Sequence, residues 1–217
     1  MIVGMYMKRD VVVISPTASL VEGIQKMSTH RIRRLVVMQG SSIRGIVTQR
    51  DIAEAFPPHL NPFSVLGVEQ AAASATIESI MKRTVITIKE YEPIEYAAEL
   101  MTRHRIGCLP VTQDRLLVGI ITESDIFRAF TGLLAERDGA VRLTFDLTER
   151  ETVLTFLEEA TQALDLELIS FLTFHENSRR LAVARVQGAK VDKLIDKLWE
   201  SGHSVVNVLR PEERGKP

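Results

Sequence analysis

Several things are scarce in this sequence, and each scarcity excludes something. Cys108 is the only cysteine among 217 residues, which rules out an intramolecular disulfide and gives no support to a cysteine-based zinc site. Charge of one sign is missing too. The formal net charge is −1, so no overall field attracts nucleic acid or an anionic membrane. No apolar run approaches the roughly 18 residues that spanning a bilayer requires. Residues 1–7 are apolar but few and lack a basic leading region, unlike a signal peptide. Gly-x-x-x-x-Gly-Lys-Ser/Thr is absent, leaving no P-loop to support nucleotide hydrolysis. Gly-x-Gly-x-x-Gly and Gly-x-Ser-x-Gly are absent as well. What remains is an ordinary globular composition, 45% hydrophobic and 25% charged, in a chain long enough to bury a sizeable core. A cytoplasmic location fits.

The chain repeats itself. Sliding residues 7–56 onto 81–130 needs no gap and makes nineteen of the fifty positions identical, among them Met7/Met81, Lys8/Lys82, Arg9/Arg83, His30/His104, Arg31/Arg105 and Ile32/Ile106. Each copy begins with a β-branched run, Val11-Val12-Val13-Ile14 or Val85-Ile86-Thr87-Ile88, which predicts a strand. A helix with Leu20, Ile24 and Met27 (Ile94, Ala98 and Met101 in the second copy) on one face follows. A hairpin turning at residues 39–42 comes next, then a helix after Thr48 or Thr122. Prolines 57, 58 and 62 stop the first copy, and residues 57–78 read as a linker.

Residues after 138 match neither copy. Val141, Leu143, Phe145 and Leu147 alternate with polar residues as in a half-buried strand. Thr148-x-x-Glu151 reads as a capping box before a helix. A strand, a turn at Asn177-Ser178, a returning strand, a helix carrying Val191, Leu194, Ile195, Leu198 and Trp199, and a last strand over 205–209 complete a β-α-β-β-α-β order, the ferredoxin-like pattern. Trp199 is expected in the core or at a dimer interface.

Gly45-x-x-Thr48-x-x-Asp51 recurs as Gly119-x-x-Thr122-x-x-Asp125. Glycine in a strand admits close approach by another backbone or a flat ligand. A threonine hydroxyl at a strand-to-helix junction, beside free N–H groups, suits a phosphate oxygen. A carboxylate one turn further on can accept both hydroxyls of a ribose. Thr-x-x-Asp is equally a helix cap, and duplication copies a cap as faithfully as a ligand clamp. Residue chemistry leaves both readings open.

These residues, with the His-Arg-Ile segments at 30–32 and 104–106 and Leu109-Pro110-Val111, resemble the CBS motif, and the pair resembles a CBS tandem, or Bateman module, over about residues 3–132. The resemblance implies a mixed α+β fold in which residues 1–56 and 79–137 form a pseudo-twofold module with two clefts. It also implies binding of AMP, ADP, ATP or S-adenosylmethionine, with Asp51 and Asp125 on ribose, and Thr48 and Thr122 on phosphate or ribose. Backbone around Val13 and Thr87 would lie beside adenine. Arg33, Arg34 and Arg105 would stand near phosphate; Gly107 and Cys108 replace the first two in the second copy, so the clefts are expected to differ. Residues 138–210 resemble an ACT domain, a ferredoxin-like unit that often dimerises, although the 146–151 loop lacks the glycine usual there; 211–217 read as a tail. The whole order resembles the bacterial acetoin utilization (AcuB) family. The function these resemblances imply is that of a non-enzymatic regulatory sensor, a homodimer acting on an unidentified regulated protein, with no metal and no required cofactor. A structural protein with degenerate sites is the alternative. His30, His104 and His175 lack the partners that catalysis or zinc binding would need.

Overall fold

The computed structural model describes residues 1–56, 75–133, 139–147 and 153–211. The prolines of the 57–78 segment, the Thr148-x-x-Glu151 cap, most of the 146–151 loop, the 137/138 boundary and the last residues of the tail lie outside them. The chain forms two compact units, Met1–Ala129 and Phe130–Pro217.

In the first unit each copy builds a three-stranded sheet. β1 (Val13–Ile14) runs parallel to β2 (Arg34–Gln39), which pairs antiparallel with β3 (Ser42–Thr48). Helix α1 (Leu20–Thr29) connects β1 to β2, and α2 (Gln49–Glu54) follows β3. After the short helix α3 (Ile77–Ile80), the second copy repeats this with β4 (Ile88–Lys89), α4 (Ile94–His104), β5 (Cys108–Gln113), β6 (Leu116–Thr122) and α5 (Glu123–Leu133). Even the register shift recurs, at Val37/Met38 and at Val111/Thr112. The two sheets touch through β3 and β6.

The leading segments cross over. Lys82, which leads into copy two, exchanges backbone hydrogen bonds with Ile46 on β3 (3.0 and 2.9 Å). Lys8, which leads into copy one, does the same with Ile120 on β6 (both 2.9 Å). The chain must then travel from one sheet to the other before β1 or β4 can pair. That is why the β-branched runs at 11–14 and 85–88 yield strands of only two residues, Val13–Ile14 and Ile88–Lys89. The crossing also settles what approaches the glycines. A Cβ on Gly45 would lie 2.7 Å from Met81 Sδ and 2.9 Å from the Lys82 carbonyl oxygen; on Gly119 it would lie 2.6 Å from Met7 Sδ and 3.0 Å from the Lys8 carbonyl. The close neighbours are the methionine side chain and the backbone of the crossing segment. Gly45→Ala and Gly119→Ala are each expected to cost about 1–3 kcal/mol of stability by urea denaturation, the usual cost of overpacking. Wild-type midpoints for both would contradict the close approach.

Part of the stretch read as linker belongs to a core. Ile77 is fully buried and packs with Ile14, Leu20, Leu35, Val47 and Ile52 of copy one. Reciprocally, Val3 and Met7 pack with Ile88, Ile94, Leu109 and Ile121 of copy two. Hydrophobic periodicity cannot see this, because a single buried residue in a four-residue helix has no period.

In the second unit β7 (Val141–Leu147), α6 (Val153–Leu164), β8 (Glu167–Glu176), β9 (Arg179–Gln187), α7 (Val191–Glu200) and β10 (Val205–Leu209) form one antiparallel sheet of order β10-β7-β9-β8 with two helices. The alternating Val141, Leu143, Phe145 and Leu147 pack against Val153, Leu157 and Ala160 of α6 and Leu194 and Leu198 of α7. Trp199, expected in core or interface, is 58% exposed in this chain; it lies one residue round the helix from Leu198, off the buried stripe. Among the described residues no helix is long and apolar enough to cross a membrane.

Candidate functional site

Both Thr-x-x-Asp motifs are helix caps. The Thr48 N–H donates to Asp51 Oδ2 (2.8 Å), the Thr48 hydroxyl donates to the same oxygen (2.6 Å), and the Asp51 N–H donates back to Thr48 Oγ1 (3.2 Å). Asp125 Oδ2 likewise accepts from the Thr122 N–H (3.0 Å) and hydroxyl (2.6 Å). The second carboxylate oxygen meets a cation in each case: Lys82 Nζ lies 3.2 Å from Asp51 Oδ1, and Arg128 Nη1 lies 3.0 Å from Asp125 Oδ1. Asp51 is 8% exposed and Asp125 1%. Carboxylates this deeply buried need such partners. A ribose hydroxyl reaching Oδ1 must share it with the cation or displace it.

The His-Arg-Ile segments are the opposite helix ends. Arg31 and Arg105 adopt left-handed backbone, φ 50° and 53°, and the next residues return hydrogen bonds to the helix, Ile32 N–H to Met27 O and Ile106 N–H to Met101 O, each 2.9 Å. Glycine is the easy residue for that conformation. An arginine there costs roughly 1–2 kcal/mol.

Two clefts of about 360 and 300 Å³ lie within the first unit, in the size range of ligand sites. Each is assembled from both copies. Cleft A takes Ile46, Thr48, Gln49 and Arg50 from copy one. It takes Lys82, Thr84 and Ile86 from the lead into copy two, and Arg105, Ile106, Gly107 and Cys108 from the end of α4. Cleft B takes Thr122, Glu123, Ser124, Asp125 and Arg128 from copy two, against Lys8, Asp10, Val11 and Val12 and the residues 31–34. Thr48 therefore shares its cleft with basic residues of the other copy, Lys82 and Arg105, as well as with those of its own. Arg33 and Arg34 line both clefts.

Among the predicted site residues, Thr48, Arg33, Arg34 and Arg105 come together in cleft A, and Thr122, Asp125, Arg33 and Arg34 in cleft B. Asp51 lies behind Thr48 and is not on the cleft wall. Val13 and Thr87 line neither cleft; their neighbours Val12 and Ile86 do, since side chains alternate along extended backbone. The sequence reading missed Lys8, Lys82, Arg50, Glu123 and Arg128. The signal for the two lysines was present in the identical Met-Lys-Arg at 7–9 and 81–83, but only the crossover shows where they go.

The copies differ most at 33–34 and 107–108. A Cβ on Gly107 would lie on the Arg34 guanidinium, 2.2 Å from Nη2, and 2.7 Å from Glu123 Oε2. Arg34 thus fills the space over Gly107, with Glu123 Oε2 4.0 Å from Nη2. Only one copy can send a long side chain across this seam. Beneath it the Cys108 thiol is 5% exposed. Burial pushes it up to about 11; Arg34 opposes the shift and Glu123 adds to it. The raised value favours the neutral thiol in the folded state, so its contribution is complete below the ordinary thiol pKa and is lost as pH rises through about 11. Wild type is therefore expected to lose about 2–3 kcal/mol more than Cys108→Ala between pH 8 and 11 by urea denaturation. Parallel pH profiles would remove this assignment. Among the described residues no cluster of His, Cys, Asp and Glu could hold a metal ion.

Two capped helix starts facing two clefts across a pair of repeated sheets define a class of module, and the family comparison identifies it. The CBS domain family model matches residues 3–58 and 77–132, more than half of the chain, and the protein belongs to this family. Its first unit is a tandem of CBS domains in a mixed α and β fold. An uncharacterized 33.4 kDa protein from the ribosomal RNA operon of Thermofilum pendens is 35% identical over 125 residues, 55% of this chain and 40% of that protein. L-Aspartate semialdehyde sulfurtransferase of Methanocaldococcus jannaschii is 36% identical over 116 residues, 52% of this chain and 20% of the enzyme. The chain thus spans less than half of either relative. Among solved structures, the CBS domain pair of protein MJ0100, in complex with 5′-methylthioadenosine and S-adenosyl-L-methionine, is 30% identical with a TM-score of 0.51, covering 61% of this chain and 97% of that one. An acetoin utilization protein (AcuB) from Vibrio cholerae is 27% identical with a TM-score of 0.51, covering 62% and 93%.

Proposed function

We propose that the protein is a non-enzymatic regulatory sensor that binds an adenine nucleotide or S-adenosylmethionine in its CBS clefts. The supporting observation is the repeated construction of a cleft from a capped Thr-x-x-Asp helix start, an apolar leading segment and a left-handed arginine. It is joined by the likeness to a CBS pair that holds two adenosine derivatives. In this reading Asp51 and Asp125 take ribose hydroxyls through Oδ1, Thr48 and Thr122 stand near phosphate or ribose, and Arg33, Arg34 and Arg105 meet phosphate. Adenine contacts fall to the segments holding Val13 and Thr87, through Val11 and Val12 or Thr84 and Ile86. The second unit is proposed as a ferredoxin-like, ACT-like domain, consistent with its strand order, that pairs two chains into a homodimer. Ligand binding acts on a regulated protein by favouring one arrangement of the tandem over another.

A second reading, an interaction protein whose clefts are empty of ligand in the cell, is favoured by one observation: both aspartates already have both oxygens engaged. Calorimetry with AMP, ADP, ATP and S-adenosylmethionine on the full chain separates the two. Saturable binding of at least one supports the sensor. No heat and no rise in melting temperature at millimolar ligand leaves the interaction protein.

A further inference from the structure

The duplication permits a comparison of the two cleft walls position by position, with an offset of 74 residues. Three matched wall positions differ in charge, all in one direction. Cleft A has Thr84 where cleft B has Asp10. Cleft A has Gln49 where cleft B has Glu123. Cleft A has Arg50 where cleft B has Ser124. Among the described residues no carboxylate lines cleft A; the acids near it, Asp51, Glu54 and Glu123, are each paired with a wall cation, Lys82 at 3.2 Å, Arg50 at 2.7 Å and Arg34 at 4.0 Å. Cleft B carries Asp10, Glu123 and Asp125 on its own wall. Arg128 of cleft B matches Glu54, which does not line cleft A, so that among the described residues each wall carries five cations. A last difference runs the other way in sequence, since Arg33 and Arg34 of cleft B match Gly107 and Cys108 of cleft A. In space it is cancelled, because both arginines reach cleft A as well.

Resting on the proposed sensor function, we infer that the two clefts take different classes of adenosine ligand: cleft A a nucleoside polyphosphate, cleft B an adenosine derivative that carries no phosphate and bears a positive centre such as an ammonium or sulfonium. Several phosphate charges in cleft A meet Arg50, Lys82 and Arg105 with no wall carboxylate to repel them. In cleft B the same charges would meet Lys8, Arg31 and Arg128 but would also lie against Asp10 and Glu123, whereas a positive centre finds in those two exposed residues the carboxylates that the cleft A wall lacks. Arg34 ties the clefts together. Its guanidinium stands 4.0 Å from Glu123, and a phosphate in cleft A competes with Glu123 for it. Drawing Arg34 toward cleft A leaves Glu123 more negative toward cleft B, so occupancy of A strengthens binding of a cation in B, and by linkage the reverse.

The test is calorimetry of the full chain with ATP and with S-adenosylmethionine, separately and then each in the presence of saturating amounts of the other. The expected result is one site per chain for each ligand, without competition, and with a few-fold tighter binding of the second. ATP affinity falls steeply with salt and S-adenosylmethionine affinity does not. Arg50→Ala weakens ATP about tenfold and weakens S-adenosylmethionine far less. Glu123→Gln weakens S-adenosylmethionine and tightens ATP, because it removes the competitor for Arg34. Competition between the two ligands for a single site, or equal loss of both in either variant, overturns the division of ligands and leaves the sensor function standing. Absence of heat with any adenosine ligand overturns both.

Discussion

Ile77→Ala is expected to lower the stability of the first unit by about 2–5 kcal/mol, the range for truncating a fully buried isoleucine. Ile77 follows a stretch of prolines and small residues that marks a linker, yet its side chain has no exposed surface. Its Cδ1 stands over α1, where a Cβ on Gly23 would meet it at 3.0 Å, and its N–H donates to the Ala18 carbonyl at 2.9 Å. Truncation leaves a cavity that the surrounding strands cannot close, because they are held in register by their hydrogen bonds. The repeat shows how the position can vary. The matched residue in copy two is Val3, also fully buried, and the match for Gly23 is Ala97. One carbon has moved from the capping side chain to the helix. Gly23→Ala alone is therefore expected to destabilise, and Gly23→Ala with Ile77→Val to recover most of the loss. Urea denaturation checks both, and an Ile77→Ala cost below about 1 kcal/mol would show that this segment does not complete the core.

Asp125→Ala is expected to have two separable effects. Loss of the cap leaves the Thr122 N–H and hydroxyl without their acceptor and costs about 0.5–2 kcal/mol of stability. Loss of the Oδ1 acceptor weakens an adenosine ligand in cleft B by about tenfold to a hundredfold, the range for one charge-assisted hydrogen bond. Asp51→Ala loses the same cap beside cleft A, where the carboxylate lies behind Thr48 and off the wall, and is expected to weaken a ligand there less. Asp125→Asn divides the two. Its carbonyl oxygen can still accept from Thr122, so much of the cap survives, while the amide that replaces Oδ1 cannot accept from a ribose hydroxyl and faces the Arg128 guanidinium. Stability near wild type together with weakened binding in the asparagine variant identifies a ligand contact. Reduced stability in the alanine variant with unchanged affinity would reduce the motif to a cap, and would do so for both copies if Asp51 behaved alike.

Much of the fold was legible because it rests on local pattern. The gapless repeat located both CBS copies, the 3.6-residue period located α1 and α4, and the alternation over 141–147 located β7 and its buried face. The strand order of the second unit, β10-β7-β9-β8, follows no local signal, since edge and centre strands differ in what they pair with rather than in their own periodicity. The candidate site was legible as a set of residue types and not as an arrangement. Thr48, Asp51, Arg33 and Arg34 read naturally as one copy's clamp. The structure keeps Thr48, Arg33 and Arg34 in one cleft, leaves Asp51 off its wall and adds Arg105 and Cys108, because the leading segments cross between sheets and each cleft closes with a wall from the other copy.

By itself the sequence determined the duplication, the place of each Thr-x-x-Asp at a helix start, the glycines that admit a close neighbour and the inequality of basic residues between the copies. Each is a matter of spacing within a few residues or of likeness between two stretches. Only the tertiary structure decided that the neighbour of Gly45 and Gly119 is the crossing segment, its methionine and its backbone, that Ile77 and Val3 belong to cores and that Arg34 occupies the space over Gly107. These are contacts between residues about 25 to 120 positions apart. They follow from how two sheets meet, and no local period or propensity encodes that meeting.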